Sequence, residues 1–437
     1  MNQDVVDVST VPTAELSGVI SVSTAGQRNS SILLVLPLPV QYDEEGRLMV
    51  ESQAANGLER WAENFESVTA ACILTPESAI RSRSSVVWRR VDELSCAHRT
   101  EVIALPWAYR FGAFVRHYRK TRRLLRELIS RSKYLVFGIG YLWGDWAALA
   151  CLEALRQKRP YAVWTDLVDY QVVKWEAEGK PWMRRLYRKY ILSTSVKYYH
   201  HYLIRQCKLG LFHGMDCYRA YAPFCANPQV VHNIHLKPHD AISLERREAK
   251  VAELRSGGPI RIGYVGRADA SKGAMDWLEV VRFLVESGHD VHATWLGDGP
   301  ILAAMRSRVE DFRLGDRVRL PGFVADRTEV LDFLKGSHLL VFCHKVPESP
   351  RVLIESLVCG TPIVGYESPY PRDLIEDHGW GKLTPPHDVH ALARAIGGLD
   401  HDRGELAEMV SRTSFAAHVF NDEAVFRHRS DLIKTYL

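Results

Sequence analysis

From Ile260 onward, short apolar runs alternate with stretches of helix length, and this alternation restricts the fold more than any other feature of the chain. The runs are IRIGYVG, VHATWLG, VRLPGF, HLLVFC and PIVGY, and the stretches between them read as helices over about 275–287, 301–312, 330–334 and 351–359. Continuous apolarity over a few residues suits strands buried on both faces, and strands alternating with helices imply a parallel sheet covered on both sides. The earlier part of the chain follows the same rule, with SSILLVLPLPV, SVTAACIL, TEVIAL, KYLVFGIG, PYAVWTD, CKLGLFHG and PQVVHNI as strand candidates. At 437 residues the chain exceeds what one core usually holds. The prediction is an α/β protein of two Rossmann-like, doubly wound units over 30–237 and 259–400. A charged linker would span 238–258, and C-terminal helices over 401–437 would cross back to the first unit. In such sheets ligands bind beyond the carboxyl ends of the strands, which singles out the loops after IGYV, TWL and LLVF.

Composition narrows the function classes. The 56 Lys and Arg against 52 Asp and Glu leave a formal charge of +4, too small to argue for nucleic acid. The eight cysteines show no Cys-x-x-Cys pair, so neither a zinc ribbon nor a disulfide framework is indicated, and a reducing, cytoplasmic setting fits. Residues 1–29 lack the basic start and apolar centre of a signal peptide and read as a polar tail. No run approaches the roughly 20 apolar residues of a membrane span, so a soluble or peripheral protein is expected.

Two loops carry chemistry. VGRADASKG places Arg267 and Lys272 between Gly266 and Gly273 after a strand. Two cations on a backbone that a ligand can approach closely can neutralise a diphosphate without a metal; two solvated charges in a polar turn are the plainer reading. In ESPRVLIESLVCGTPIVGY, Pro350 suits the first turn of a helix, Gly360 suits its left-handed end, and Pro362 prevents continuation. The start of that helix, at Arg351, offers free N–H groups and a positive dipole end to an anion. Glu355, one turn later, can accept hydrogen bonds from ribose hydroxyls, or else is an ordinary exposed helix residue. Glu348 can meet a sugar hydroxyl or a developing positive charge, or else serve the helix dipole. His344 sits at a strand's carboxyl end near Glu348 and Ser349.

Together, VGRADASKG, WLGDGP, RVRLPGFV and ESPRVLIESLVCGTPIVGY resemble the nucleotide-sugar domain of glycosyltransferase family 4, a retaining group with the GT-B architecture, over about Ile260 to Leu399. The resemblance implies that Arg267 and Lys272 hold the donor diphosphate beside Gly266, that Glu355 holds the ribose, and that Glu348 meets the donor sugar. His344, Ser349 and Arg351 fall in the same donor site. It implies a nucleotide-diphosphate sugar as donor substrate, no metal or other cofactor, and a saccharide or lipid-linked acceptor in the synthesis of a cell-surface polysaccharide or glycolipid. Six residues separate Glu348 from Glu355 where the family usually has seven. In the first unit PLPVQYDEEGRL lacks the family's glycine pair and leaves Gly46 as the candidate for close approach to the diphosphate. Where many members carry a histidine, VWTDLVDY offers Asp166 and Asp169, either to orient a sugar or to cap a helix. Two rival functions are a non-catalytic nucleotide-sugar-binding partner of a transferase, and a sugar-nucleotide epimerase or synthase of the same architecture.

Two further stretches need an assignment. His232, His235 and His239 in HNIHLKPH read as surface histidines rather than as metal ligands. PWMRRLYRKYI, Pro181 to Ile191, sets Trp182, Met183, Leu186, Tyr187, Tyr190 and Ile191 on one half of a helical wheel and Arg184, Arg185, Arg188 and Lys189 on the other. This pattern fits contact with an anionic membrane surface, at the inner face of the membrane, or a core-packed helix with a basic outer face.

Overall fold

The computed structural model describes residues 30–76, 86–346, 348–376, 378–413 and 416–437. The polar tail expected over 1–29 lies outside the described residues. Two sheets form the frame. In the first, the parallel strands run β5–β3–β1–β6–β7–β8–β9, where β1 is Ser31–Tyr42, β3 Ser67–Leu74, β5 Thr100–Leu105, β6 Tyr134–Gly138, β7 Ala162–Thr165, β8 Leu209–His213 and β9 Pro228–Val231. In the second, the order is β12–β11–β10–β13–β14–β15, all parallel, with β10 Ile260–Val265, β11 Val291–Leu296, β12 Val318–Gly322, β13 Leu339–Phe342, β14 Ile363–Tyr366 and β15 Gly381–Thr384. Each chain path starts in the middle and reverses, at β1/β6 and at β10/β13, so each sheet has a switch point that opens a crevice at its carboxyl edge.

The far end of β1 departs from the sequence reading. Val40 to Tyr42 pair antiparallel with β2, Leu48–Glu51, and β2 pairs in turn with β4, Trp88–Arg90. Gly46 belongs to the turn of this hairpin, at φ +76°, where its N–H donates to Asp43 O at 3.0 Å. Its left-handed conformation serves the turn, and the space beside its Cα is open.

The charged stretch read as a linker contains the helix Leu244–Ser256, which packs on the second unit. Its Lys250 is buried, and Nζ donates to Ser337 O at 2.8 Å, Gly360 O at 3.0 Å and Thr361 Oγ1 at 3.0 Å. Burial pushes this amine down to about 7. At the other end of the chain, helix Asp422–Tyr436 returns to the first unit. Arg60 Nε donates to Asp422 Oδ2 at 2.9 Å, and Phe426 meets Trp61 edge-on with ring centroids 5.3 Å apart.

Candidate functional site

The second sheet's switch point builds one half of the site. Gly273, at φ +65°, starts helix Ala274–Glu286 so close to the loop after β13 that a Cβ there would sit 1.9 Å from Cys343 O. The Lys345 N–H donates to Ser271 O at 2.8 Å and stitches the two loops together. As a result Lys272 and Glu348, far apart in the chain, form a two-armed contact in which Nζ lies 2.6 Å from both Oε1 and Oε2. Both side chains are only partly exposed, so the pair is less screened than a surface ion pair. His344 stands behind Glu348, with Nδ1 at 3.6 Å from Oε1 and Nε2 at 2.6 Å from the Tyr264 hydroxyl. Burial, then the Lys272 charge, hold this imidazole well below its usual range, so it is neutral at pH 7.

The helix that opens behind Pro350 runs Arg351–Val358. It closes in a Schellman motif: Gly360, at φ +72°, donates its N–H to Leu357 O at 3.0 Å, and Thr361 donates to Ser356 O at 2.9 Å. Glu355 is buried rather than an exposed helix residue, because Arg327 Nη2 donates to its Oε1 at 2.8 Å. Burial alone raises the carboxyl pKa, but the charge and hydrogen bond of Arg327, with Arg351 added, outweigh it and keep Glu355 ionised. Arg267 is exposed in the loop after β10. With Val265, Gly266, Leu296, Phe323, Val324 and Val330 it lines a cavity of about 180 Å³ at the carboxyl ends of β10 to β12. Gly297, at φ +147°, allows that loop to nest on its neighbour, since a Cβ there would sit 1.9 Å from Gly266 O.

The first unit meets this half along one wall. Leu167 forms an antiparallel backbone bridge with Glu348, directly after Asp166. Asp166 is exposed there and accepts the Trp164 indole N–H at 2.7 Å through Oδ1. His213 Nε2 pairs with Ser349 O at 2.9 Å, and the Ser349 hydroxyl donates to His213 O at 2.7 Å. Gly214, at φ +71°, admits this contact; a Cβ would lie 2.2 Å from Ser349 Oγ. Next to it Asp216 Oδ2 accepts the Tyr370 N–H at 2.9 Å. Burial raises the Asp216 carboxyl to about 6, against the opposing Tyr370 N–H bond.

The structure therefore gathers Lys272, Glu348, His344 and Ser349 in one place, with Asp166 in the residue next to the Leu167–Glu348 bridge. Arg351 and Glu355 share the adjoining helix start. Asp169 instead starts helix Asp169–Glu176, with Oδ2 at 3.9 Å from buried His200, and burial followed by the Asp145 charge pushes its carboxyl well up. Tyr264, Arg327, His213, Asp216 and Tyr370 were not picked out in the sequence. A conspicuous signal was available only for His213, a histidine and glycine at the end of an apolar run.

Two other expectations change. His232 and His235 are half-buried, the first held down to about 3 chiefly by desolvation, and His235 Nδ1 lies 3.1 Å from Asn56 Nδ2, so only His239 is exposed as a surface histidine would be. On the amphipathic stretch, helix Trp182–Leu186 continues into a π-helical turn, Tyr187–Leu192. Its apolar side chains face outward, with Trp182 at 71% and Tyr190 at 61% exposure, which overturns the core-packed reading. Arg184 and Arg185 are exposed, and Lys189 lies 5.9 Å from the Tyr190 ring centre. Arg188 is committed to Glu176 by an ion pair and leaves the free basic face. Among the described residues no helix is long and apolar enough to cross a membrane.

Residues 245–415 match the pattern of the family described as glycosyl transferases group 1. The chain is similar to the alpha-D-kanosaminyltransferase of Streptomyces kanamyceticus, 28% identical over 189 residues, which are 42% of this chain and 48% of that protein. It is also similar to the amylovoran biosynthesis glycosyltransferase AmsK of Erwinia amylovora, 25% identical over 183 residues, 40% of this chain and 45% of the relative. The matched part thus spans under half the length of these relatives. In three dimensions the crystal structure of HepE from Anabaena in complex with UDP superposes with a TM-score of 0.64 at 15% identity, covering 93% of this chain and 100% of that one. The fold is that of the GT-B glycosyltransferases, and the family match and the named relatives support the glycosyltransferase group for the second unit.

Proposed function

We propose that this protein transfers a sugar from a nucleotide-diphosphate sugar to an acceptor hydroxyl with retention at the anomeric carbon. The observation that carries the reading is the Lys272–Glu348 pair, set at the second sheet's switch point beside the helix start at Arg351 and joined to the first unit through Leu167. HepE was solved with UDP, which supports a nucleotide ligand here as well. The base would lie in the cavity walled by Phe323, Val324 and Val330, the ribose at Glu355, and the diphosphate against Arg267, Lys272 and the helix start. Lys272 then shares its charge between Glu348 and the phosphate. The bond from the anomeric carbon to the diphosphate oxygen breaks as the acceptor oxygen bonds the same face, and the acceptor proton leaves with the diphosphate. Fixed cations that meet charge as it develops need no reorganisation at that moment. No metal is assigned a role. Asp166 orients the acceptor, and Asp169, more deeply placed, supports that wall.

The outward apolar face with Trp182, Arg184, Arg185 and Lys189 extends the proposal to peripheral binding at the inner, anionic surface of a membrane, with a lipid-linked acceptor and a product destined for polysaccharide or glycolipid. The direct test is a thermal-shift panel of UDP-, GDP- and ADP-sugars against the wild type and its Arg267→Ala and Glu355→Ala variants. A ligand at 100 times its Kd adds about 2.7 kcal/mol. The account expects one nucleotide class to stabilise the wild type and not the variants. No shift with any of them, with or without anionic vesicles, would remove the donor site.

A further inference from the structure

One buried charge has no role in the site as described. Arg429, in helix Asp422–Tyr436, is 1% exposed. Among the described residues it pairs with no carboxylate: Nη1 makes a long 3.3 Å bond to His232 O, and Nε and Nη2 have no hydrogen-bond partner. Its guanidinium is packed among rings instead, with Cζ 4.1 Å from the Trp164 ring centre, 4.5 Å from that of Phe426 and 5.0 Å from that of Trp61. Burial pulls Arg429 down to about 9, with the charge of Asp166 acting the other way, so it is a cation at neutral pH. Trp164, with this cation on its ring, gives its N–H to Asp166 at 2.7 Å. A cation against an indole face is attracted to it most strongly where water is excluded, and hydrogen-bonded neighbours polarise one another.

We propose that Arg429 is a positioning residue for Asp166: the buried guanidinium clamps Trp164, whose indole N–H fixes the carboxyl next to the Leu167–Glu348 bridge. A helix from the end of the chain thereby sets the geometry of the first unit's side of the cleft. The functional half of this role rests on the transferase reading; the structural half does not.

The test has two arms. In protein labelled with ¹⁵N-tryptophan, the Trp164 indole resonance is assigned by Trp164→Phe. Arg429→Met should move that resonance and speed its solvent exchange, while Arg429→Lys, which keeps the cation, should restore most of the wild-type behaviour. In the second arm, nucleoside-diphosphate release is followed from UDP-, GDP- or ADP-glucose, whichever stabilises the wild type. Arg429→Met and Trp164→Phe should each lower turnover roughly tenfold with the donor KM unchanged, the size expected of a small misplacement. Neither should lower it further in an Asp166→Asn background. An unmoved Trp164 resonance, or losses that add to that of Asp166→Asn, overturns the proposal. If Arg429→Met does not fold, Trp164→Phe carries the activity arm and Arg429→Lys the resonance arm, where a cation that fails to hold the resonance counts against the clamp. A wild type that neither binds nor turns over a nucleotide sugar contradicts the transferase reading and, with it, the functional half, while the resonance arm still decides the clamp.

Discussion

The two sheets share one winding and differ in what stands at their carboxyl edges. At the second, opposite charges pair: Lys272 with Glu348, both partly exposed, and half-exposed Arg327 with buried Glu355. At the first, burial pushes titratable groups toward neutrality: it raises Asp216 to about 6, raises Asp169 well above its usual range and lowers His213. The contrast teaches how the work is divided. On the proposed reading, a ligand that carries several negative charges is met by fixed charge, while the facing unit offers shape, neutral hydrogen-bonding groups and the carboxyl of Asp166. The buried contacts of His213 and Asp216 with Ser349 and Tyr370 hold the two halves in register.

The sharpest way to break this contrast is to neutralise the charged half. Glu348→Gln leaves Lys272 without its counter-charge and should cost about a hundredfold in turnover while nucleotide affinity holds or rises. Steady-state kinetics with calorimetric nucleotide binding check this, and full turnover would show that the second sheet's charges are not used in chemistry. The neutral half is probed by pH. Because burial raises the Asp216 carboxyl from its ordinary 3.8 to about 6, the native state binds its proton more tightly, so its contribution favours folding at low pH and is lost as pH rises through about 6. Asp216→Asn keeps an acceptor for the Tyr370 N–H and cannot ionise. Its stability relative to wild type should therefore climb between about pH 4 and pH 7, by at most about 3 kcal/mol. Denaturant melts across that range would show the opposite slope, or none, if Asp216 is ionised at no cost. The smallest effect concerns the outer face. Arg184→Ala with Arg185→Ala should weaken binding to phosphatidylglycerol vesicles by about 2 kcal/mol and leave turnover in solution unchanged. Vesicle sedimentation reads it, and unchanged binding would detach that face from any membrane.

The same contrast governs what the sequence could reveal. In the second unit each strand is a self-contained apolar run, and the candidate site residues sit in loops adjoining the strands, so β10, the Lys272 loop and the helix at Arg351 were all legible as elements. For Glu355 the expected ribose contact remains a proposal, and its burial was not legible, because it comes with Arg327, which arrives from another helix. In the first unit β1 continues past Pro37 and Pro39 into a hairpin, with a register shift between Val35 and Pro39 that alternation of residues does not encode. His213 stands out locally as a histidine and glycine ending an apolar run, but its contact could not be read there, because its partner Ser349 is 136 residues away. The partial burial of His232 and His235 escaped for a related reason: their polarity suggested the surface, whereas each ring packs in part against an aromatic from far along the chain, Phe420 and Phe426.

The measurement that tests the central claim most directly is nucleoside-diphosphate release from a nucleotide sugar by wild type and folded Lys272→Ala protein. The account predicts turnover by the wild type and a loss of about a hundredfold or more in the variant, since one preorganised charge contact to a leaving group is typically worth about 3 to 4 kcal/mol. A folded Lys272→Ala protein that turns over at the wild-type rate would contradict it.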